Sequence, residues 1–151
     1  MAPMADRSAA SCVFCAIIRG DQPGAFVLGG PGADDRDPVV AFLDVRPLFK
    51  GHVLVVPRAH HETLPDLPPD LIAPLFGAAR RLAAAMEDGL GAAGSFVALN
   101  NRVSQSVPHL HVHVVPRNRK DGLRGFFWPR TRYANDGELA EWAGRVRAAL
   151  R

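Results

Sequence analysis

His109, His111 and His113 recur at a strict period of two, a spacing suited to chemistry. In a β-strand, alternate residues share a face. The three imidazoles then form one polar row, with Leu110, Val112 and Val114 turned to the core. Successive same-face residues lie about 6.6 Å apart, so the outer two are separated by about 13 Å. A histidine–metal bond is only about 2.0–2.1 Å long. One ion is therefore not expected to hold all three rings, and they should divide their tasks. A neutral imidazole, with an ordinary pKa of about 6.5, is a competent nucleophile toward phosphorus near neutral pH. His111 is best placed for that role, because neighbours on both sides can fix its tautomer and dock a phosphate. The hydroxyl of Ser106 and the amide of Gln105 could donate to a phosphate oxygen or a leaving group.

Cys12 and Cys15 form a second group, with the spacing of a metal-ligand or redox pair. A tetrahedral ion would need two more ligands. His60 follows the end of an apolar run at Pro57, and His109 opens the histidine row. Both are expected near the place where the N-terminal turn packs. His61 is adjacent to His60 and confounds the choice.

These residues must be positioned by a small core. The 151 residues suit one compact domain, and 48% of them are apolar, enough to fill its interior. The net charge of +3 is slight and its basic residues are scattered. That argues for mild attraction to anionic ligands, not for stable nucleic-acid binding. No apolar run approaches a membrane span. Residues 1–11 are expected to be a disordered tail without a signal sequence, and a cytoplasmic location follows as the expectation.

The pattern predicts a helical turn over residues 12–19, ended by Gly20, and a short strand over 25–28. Strands are predicted at 39–43, 52–56, 96–99 and 109–115, the last closed by Pro116. Leu71, Ile72, Leu75, Ala79, Leu82 and Met86 recur at helical spacing and predict the main helix over 70–88. Residues 138–150 should form a terminal helix. Strands not regularly separated by helices favour an α+β fold with an antiparallel sheet of about five strands, one main helix and a C-terminal helix. A single domain is expected over residues 12–151, with a C-terminal extension from 118.

The run Gln105-Ser106-Val107-Pro108-His109-Leu110-His111-Val112-His113-Val114-Val115 resembles the signature of the histidine triad family of nucleotide hydrolases and transferases. Phe42-Leu43-Asp44-Val45 and Gly51-His52-Val53-Leu54-Val55-Val56-Pro57-Arg58-Ala59-His60 match further elements of that family in order. The resemblance runs from about Cys12 to Arg117. It departs from the pattern before Gln105, where the family's loop is longer and places a glycine at the position of Ser104.

The resemblance implies that His111 attacks the α-phosphate of a nucleotide conjugate, forming a covalent nucleotidyl-histidine that water or another acceptor resolves. It implies that His52 and His113 support the phosphate and that Ser106 assists the leaving group. Asp44 would take the ribose hydroxyls. Phe42, Val45, Phe14 and Ile17 would flank a purine base, and Asn100 or Asn101, with Gln105, would contact phosphate or ribose. Structural zinc is implied at Cys12, Cys15, His60 and His109, with no position open for water. A homodimer is implied as well. Phosphorolysis, a non-catalytic nucleotide-binding regulatory role, and a metalloprotein built on the histidine row are the competing readings. The aromatic segment Phe126-Phe127-Trp128 is expected either to pack on the core as an irregular strand or to approach an active site.

Overall fold

The computed structural model describes residues 7–124 and 131–151, so the Phe126-Phe127-Trp128 segment lies outside the described residues. The chain divides after Asp121 into two units, the second being Gly122–Arg151.

The first unit is built on five antiparallel strands in the order β1-β2-β3-β5-β4. They are β1 (Phe26–Leu28), β2 (Val39–Leu43), β3 (Val53–Pro57), β4 (Gly94–Ala98) and β5 (Val112–Arg117). Central strands β2 and β3 are buried on both faces, which is why they read as continuous apolar runs. Val39, Ala41, Val53 and Val55 turn to one core, with Leu110, Val112 and Val114. Val40, Phe42, Leu54 and Val56 turn to the other.

The first face is covered by α3 (Ile72–Leu90), which buries Leu75, Ala78, Ala79 and Met86 against the sheet. It starts two residues later than the periodicity predicts, because Pro69–Leu71 forms a 3₁₀ turn first. It ends at Gly91, whose φ of 66° caps the last turn in the left-handed conformation. The second face is covered by α2 (Val13–Arg19), which buries Phe14 and Cys15 and is capped by Gly20.

Two differences from the sequence reading have local causes. Residues 7–11 form a short helix, α1 (Arg7–Ser11), where an unstructured tail was expected to reach residue 11. Its Ala9 packs against the α2-side core. Strand β5 runs on through Pro116, the residue expected to close it. Pairing with β3 reaches only Val114, so the amide that proline lacks faces no β3 partner.

In the second unit α4 (Asp136–Ala149) is capped by Asn135, whose side chain accepts from the Glu138 amide. Leu139, Trp142, Val146 and Leu150 are exposed along it. No helix among the described residues is long and apolar enough to cross a membrane.

Candidate active site

The histidine row keeps its alternation while losing part of its strand. β5 begins at Val112, not His109. Val55 pairs with Val112, so continuing the register would set Leu110 against Pro57, which has no amide to donate. Leu110 donates instead to the His61 carbonyl at 2.7 Å. Leu110, Val112 and Val114 are nonetheless fully buried in the α3-side core. The histidines fall on the α2 side, where the Phe14 ring stands edge-on to His111 at 5.2 Å, to His109 at 5.9 Å and to Phe42 at 5.4 Å.

Fixed backbone partners determine which nitrogen of each ring carries a proton. His111 Nδ1 lies 2.7 Å from the His109 carbonyl oxygen, which can only accept, so Nδ1 holds a proton and, in the neutral ring, Nε2 holds the lone pair. The Leu48 amide donates to His52 Nδ1 at 3.1 Å, so the His52 proton sits on Nε2. His52 Nε2 then donates to His113 Nδ1 at 2.9 Å, which leaves the proton of a neutral His113 on its Nε2. The last two contacts make one directional chain from a backbone amide to the outermost histidine of the row.

The same geometry explains the charge state. Burial lowers the His52 pKa, Asp44 opposing and His111 adding to the effect. Burial also pulls His113 down to about 4, reinforced by His111 and His52. Asp44 Oδ2 is 3.9 Å from His52 Nδ1, within ion-pair range. No charged pair forms there, because the His52 nitrogen facing the carboxylate already accepts the Leu48 amide.

His111 and His113 line a cavity of about 380 Å³ together with Ser106. That size suits a small-molecule site. Phe14, Ile17, Phe42 and Val45 form apolar wall, and Asp44 is the carboxylate among the lining residues. Asp44 Oδ1 accepts the Arg46 amide at 2.9 Å, which fixes the carboxylate at the turn after β2. Val13, Arg46 and Val107 also line the cavity and were not singled out from the sequence. Val13 was recoverable, since it precedes Ile17 by one helical turn.

The cavity does not include Asn100, Asn101 or Gln105. Asn100 Nδ2 donates to the Ser104 carbonyl at 3.3 Å, and Asn101 Oδ1 accepts the Leu64 amide at 2.8 Å. Gln105 uses both ends of its side chain, accepting from the Arg102 amide at 2.8 Å and donating to the Glu62 carbonyl at 2.6 Å. These three amides hold the loop that carries Ser106. Within it, Arg102 and Ser104 adopt left-handed φ values of 68° and 60°.

Cys12, Cys15, His60 and His109 are positioned to hold a metal, with one ligand atom from each within 4.8 Å of the others. His109 Nδ1 is 3.5 Å from both sulfurs, and His60 Nδ1 is 3.4 Å from Cys15 Sγ. His109 Nε2 donates to the Pro57 carbonyl at 2.9 Å, which turns the Nδ1 lone pair toward the thiols. His61 is not part of the cluster. Asp44, His52 and His113 also lie within 4.8 Å of one another. The hydrogen bonds described above commit both nitrogens of His52 and Nδ1 of His113, so these two histidines, with the Leu48 amide, work as a proton-ordering chain beside Asp44.

The HIT domain family model matches residues 34–120. Protein hit of Bacillus subtilis is 36% identical over 122 residues, 80% of this chain and 80% of its own length. The adenosine 5'-monophosphoramidase HNT1 of Saccharomyces cerevisiae is 32% identical over 118 residues, 76% of this chain and 68% of its own. The crystal structure of a zinc-bound histidine triad family protein from Mycobacterium smegmatis superposes with a TM-score of 0.68 at 33% identity, covering 94% of this chain and 99% of that one.

Proposed function

The chain belongs to the HIT domain family, and from that premise we propose that it hydrolyses purine nucleotide conjugates, phosphoramidates or dinucleoside polyphosphates, through a nucleotidyl-histidine at His111. The observation that carries this reading is the His109 carbonyl on His111 Nδ1, which assigns the lone pair of the neutral ring to Nε2 in a residue that lines the cavity. The phosphoramidase activity of the yeast relative supports the same class of substrate.

In this reading His111 Nε2 attacks the α-phosphorus as the bond to the leaving group breaks. The ring becomes an imidazolium, and its Nδ1–H stays on the His109 carbonyl, which stabilises the new charge. The Nε2–H of His113 and the Ser106 hydroxyl donate to the phosphate oxygens, and Ser106 passes a proton to the departing amine or phosphate, which the water of the second step gives back. Water then cleaves the N–P bond, releasing the nucleoside monophosphate and restoring neutral His111. Asp44 takes the ribose hydroxyls, and Phe14, Ile17, Phe42 and Val45 hold the base. Asn100 and Gln105 act on the ligand through the loop they brace.

Zinc suits the Cys12, Cys15, His60 and His109 cluster. Tetrahedral zinc with ordinary bond lengths sets a thiolate and an imidazole nitrogen roughly 3.5 Å apart, the separations that these residues already have. Four protein ligands leave no coordination position for water, so the ion would be structural. It would cross-link α2 to the histidine row. A homodimer fits the position of β4 as an edge strand of the described sheet and its exposed Val97.

The test is turnover of adenosine 5′-phosphoramidate and diadenosine polyphosphates by wild type and His111→Ala, with mass spectrometry for a nucleotidyl adduct. Equal rates for the two proteins would refute the assignment. Nucleoside diphosphate formed on adding phosphate would identify phosphorolysis instead.

A further inference from the structure

We propose that Arg46 is a specificity residue that reads a second phosphate on the substrate, carried by the 2′ or 3′ oxygen of the ribose. The inference rests on the nucleotide-conjugate reading and narrows its substrate class.

Asp44 and Arg46 stand side by side on the cavity wall. They are locked in register, since the Arg46 amide donates to Asp44 Oδ1 at 2.9 Å. The guanidinium is exposed and, among the described residues, has no hydrogen-bond or ion-pair partner. It is also the sole Lys or Arg among the described residues that line this cavity.

The chemistry of that pair is specific. A carboxylate alone accepts from ribose hydroxyls and repels a phosphate in their place, whereas a nearby arginine admits one; dinucleotide sites discriminate their cofactors in this way. The guanidinium fork matches phosphate oxygens in a way an ammonium does not. Here both elements are present two residues apart. Asp44 can take the remaining hydroxyl while Arg46 takes the phosphate on its neighbour. The 5′-phosphate belongs at the other end, with His111, His113 and Ser106. The remaining wall, Phe14, Ile17 and Phe42, offers a phosphate nothing, so an additional anion is directed to Arg46.

The experiment measures calorimetric affinities of AMP, adenosine 3′,5′-bisphosphate and adenosine 2′,5′-bisphosphate for wild type, Arg46→Gln and Arg46→Lys. Arg46→Gln should weaken at least one bisphosphate roughly tenfold more than it weakens AMP, the size of one charge-assisted contact at a partly solvated site. Arg46→Lys should recover part of that difference, and the difference should shrink at high salt. A merely structural role would move all three nucleotides by one factor. That outcome, with AMP still bound, overturns the inference and leaves the function reading standing. Failure of every nucleotide to bind wild type overturns both.

Discussion

His111 Nδ1 sits 2.7 Å from the carbonyl oxygen of His109, the residue two positions before it on the same row. The contact makes the backbone of one histidine the orienting partner of the next. It holds the reactive lone pair on Nε2 without using any other side chain. Replacing His111 by Ala removes the proposed nucleophile and leaves the other cavity-lining residues in place. Turnover should fall by a factor on the order of 10³ or more, in the manner of other nucleophile deletions. AMP affinity, measured by calorimetry, should change far less. His111→Ala turning over at the wild-type rate would contradict the assignment.

In the proposed mechanism His52 acts through His113 and need not touch the substrate. Its Nε2–H on His113 Nδ1 fixes which His113 nitrogen presents a proton to the cavity. His52→Ala leaves that nitrogen without its donor and frees the ring to choose its tautomer. We expect kcat to fall roughly ten- to a hundredfold, the range found when a group that fixes a ring tautomer is removed. KM should move little. His52→Gln, which can still donate toward His113, should recover part of kcat. A structural role alone would lower the folded fraction and leave the kcat of the folded enzyme unchanged.

Burial of His113 as a neutral ring makes stability depend on pH. Its folded pKa is lowered to about 4 from 6.5, so the unfolded chain binds the extra proton first. Between those two values the unfolded state carries more protons, and stability rises with pH. The melting temperature should therefore be flat above about pH 7 and fall as pH drops from 6.5 toward 4. His52 is shifted in the same direction and adds to the slope. Asp66, held below 3.8 chiefly by its Thr63 hydrogen bond, contributes only in a lower window. His113→Gln should flatten the slope between pH 6.5 and 4, and an unchanged slope would show that His113 is not its source.

Much of this site is written in side-chain alternation. The period of two at 109–113 places three imidazoles on one face and three aliphatics in the core, and the structure keeps that division. The apolar runs predicted as strands at 39–43 and 52–56 are likewise found as strands, at Val39–Leu43 and Val53–Pro57. What the alternation does not carry is the backbone. The Pro57 carbonyl that turns His109, the Leu48 amide that sets His52 and the His109 carbonyl that sets His111 leave no mark on residue type. The start of β5 was misplaced for a related reason. Pro57 ends the ladder from the partner strand, and strand pairing is not visible from either strand alone. Gln105 and Asn101 match polar ligand contacts in type, yet their amides are spent on neighbouring backbone.

Phe14 connects the metal-ligand cluster to the cavity. It lies between Cys12 and Cys15 in sequence, and its ring meets both His109 and His111. Cys12→Ser and Cys15→Ser should each lose bound zinc, read by elemental analysis. The melting temperature should fall by more than about 5 °C, since roughly 1 kcal/mol corresponds to a few degrees in a chain of this size. Release of α2 also loosens Phe14 and Ile17 at the cavity, so KM for adenylyl substrates should rise. His61→Ala should keep the metal. A Cys15→Ser protein with full zinc content and an unshifted melting curve would dismiss the cluster as a metal centre.

The loop before His109 stores conformational strain in Ser104, whose φ of 60° is left-handed. A side chain there costs about 1–2 kcal/mol relative to ordinary backbone. Glycine would relieve that cost while adding about 0.5–1 kcal/mol of unfolded-chain entropy to be lost. The two nearly cancel, so Ser104→Gly should be neutral or stabilise by up to about 1 kcal/mol in urea unfolding. Ser104→Val should destabilise by more than about 1 kcal/mol, because a branched β-carbon is least compatible with positive φ. The Asn100 side chain bonds the Ser104 carbonyl, so the glycine variant keeps its tether and Ser106 its place. Activity of Ser104→Gly should accordingly follow wild type, while Ser104→Val should lose kcat as the loop shifts. A valine variant as stable and active as wild type would mean that the left-handed turn is not needed to present Ser106.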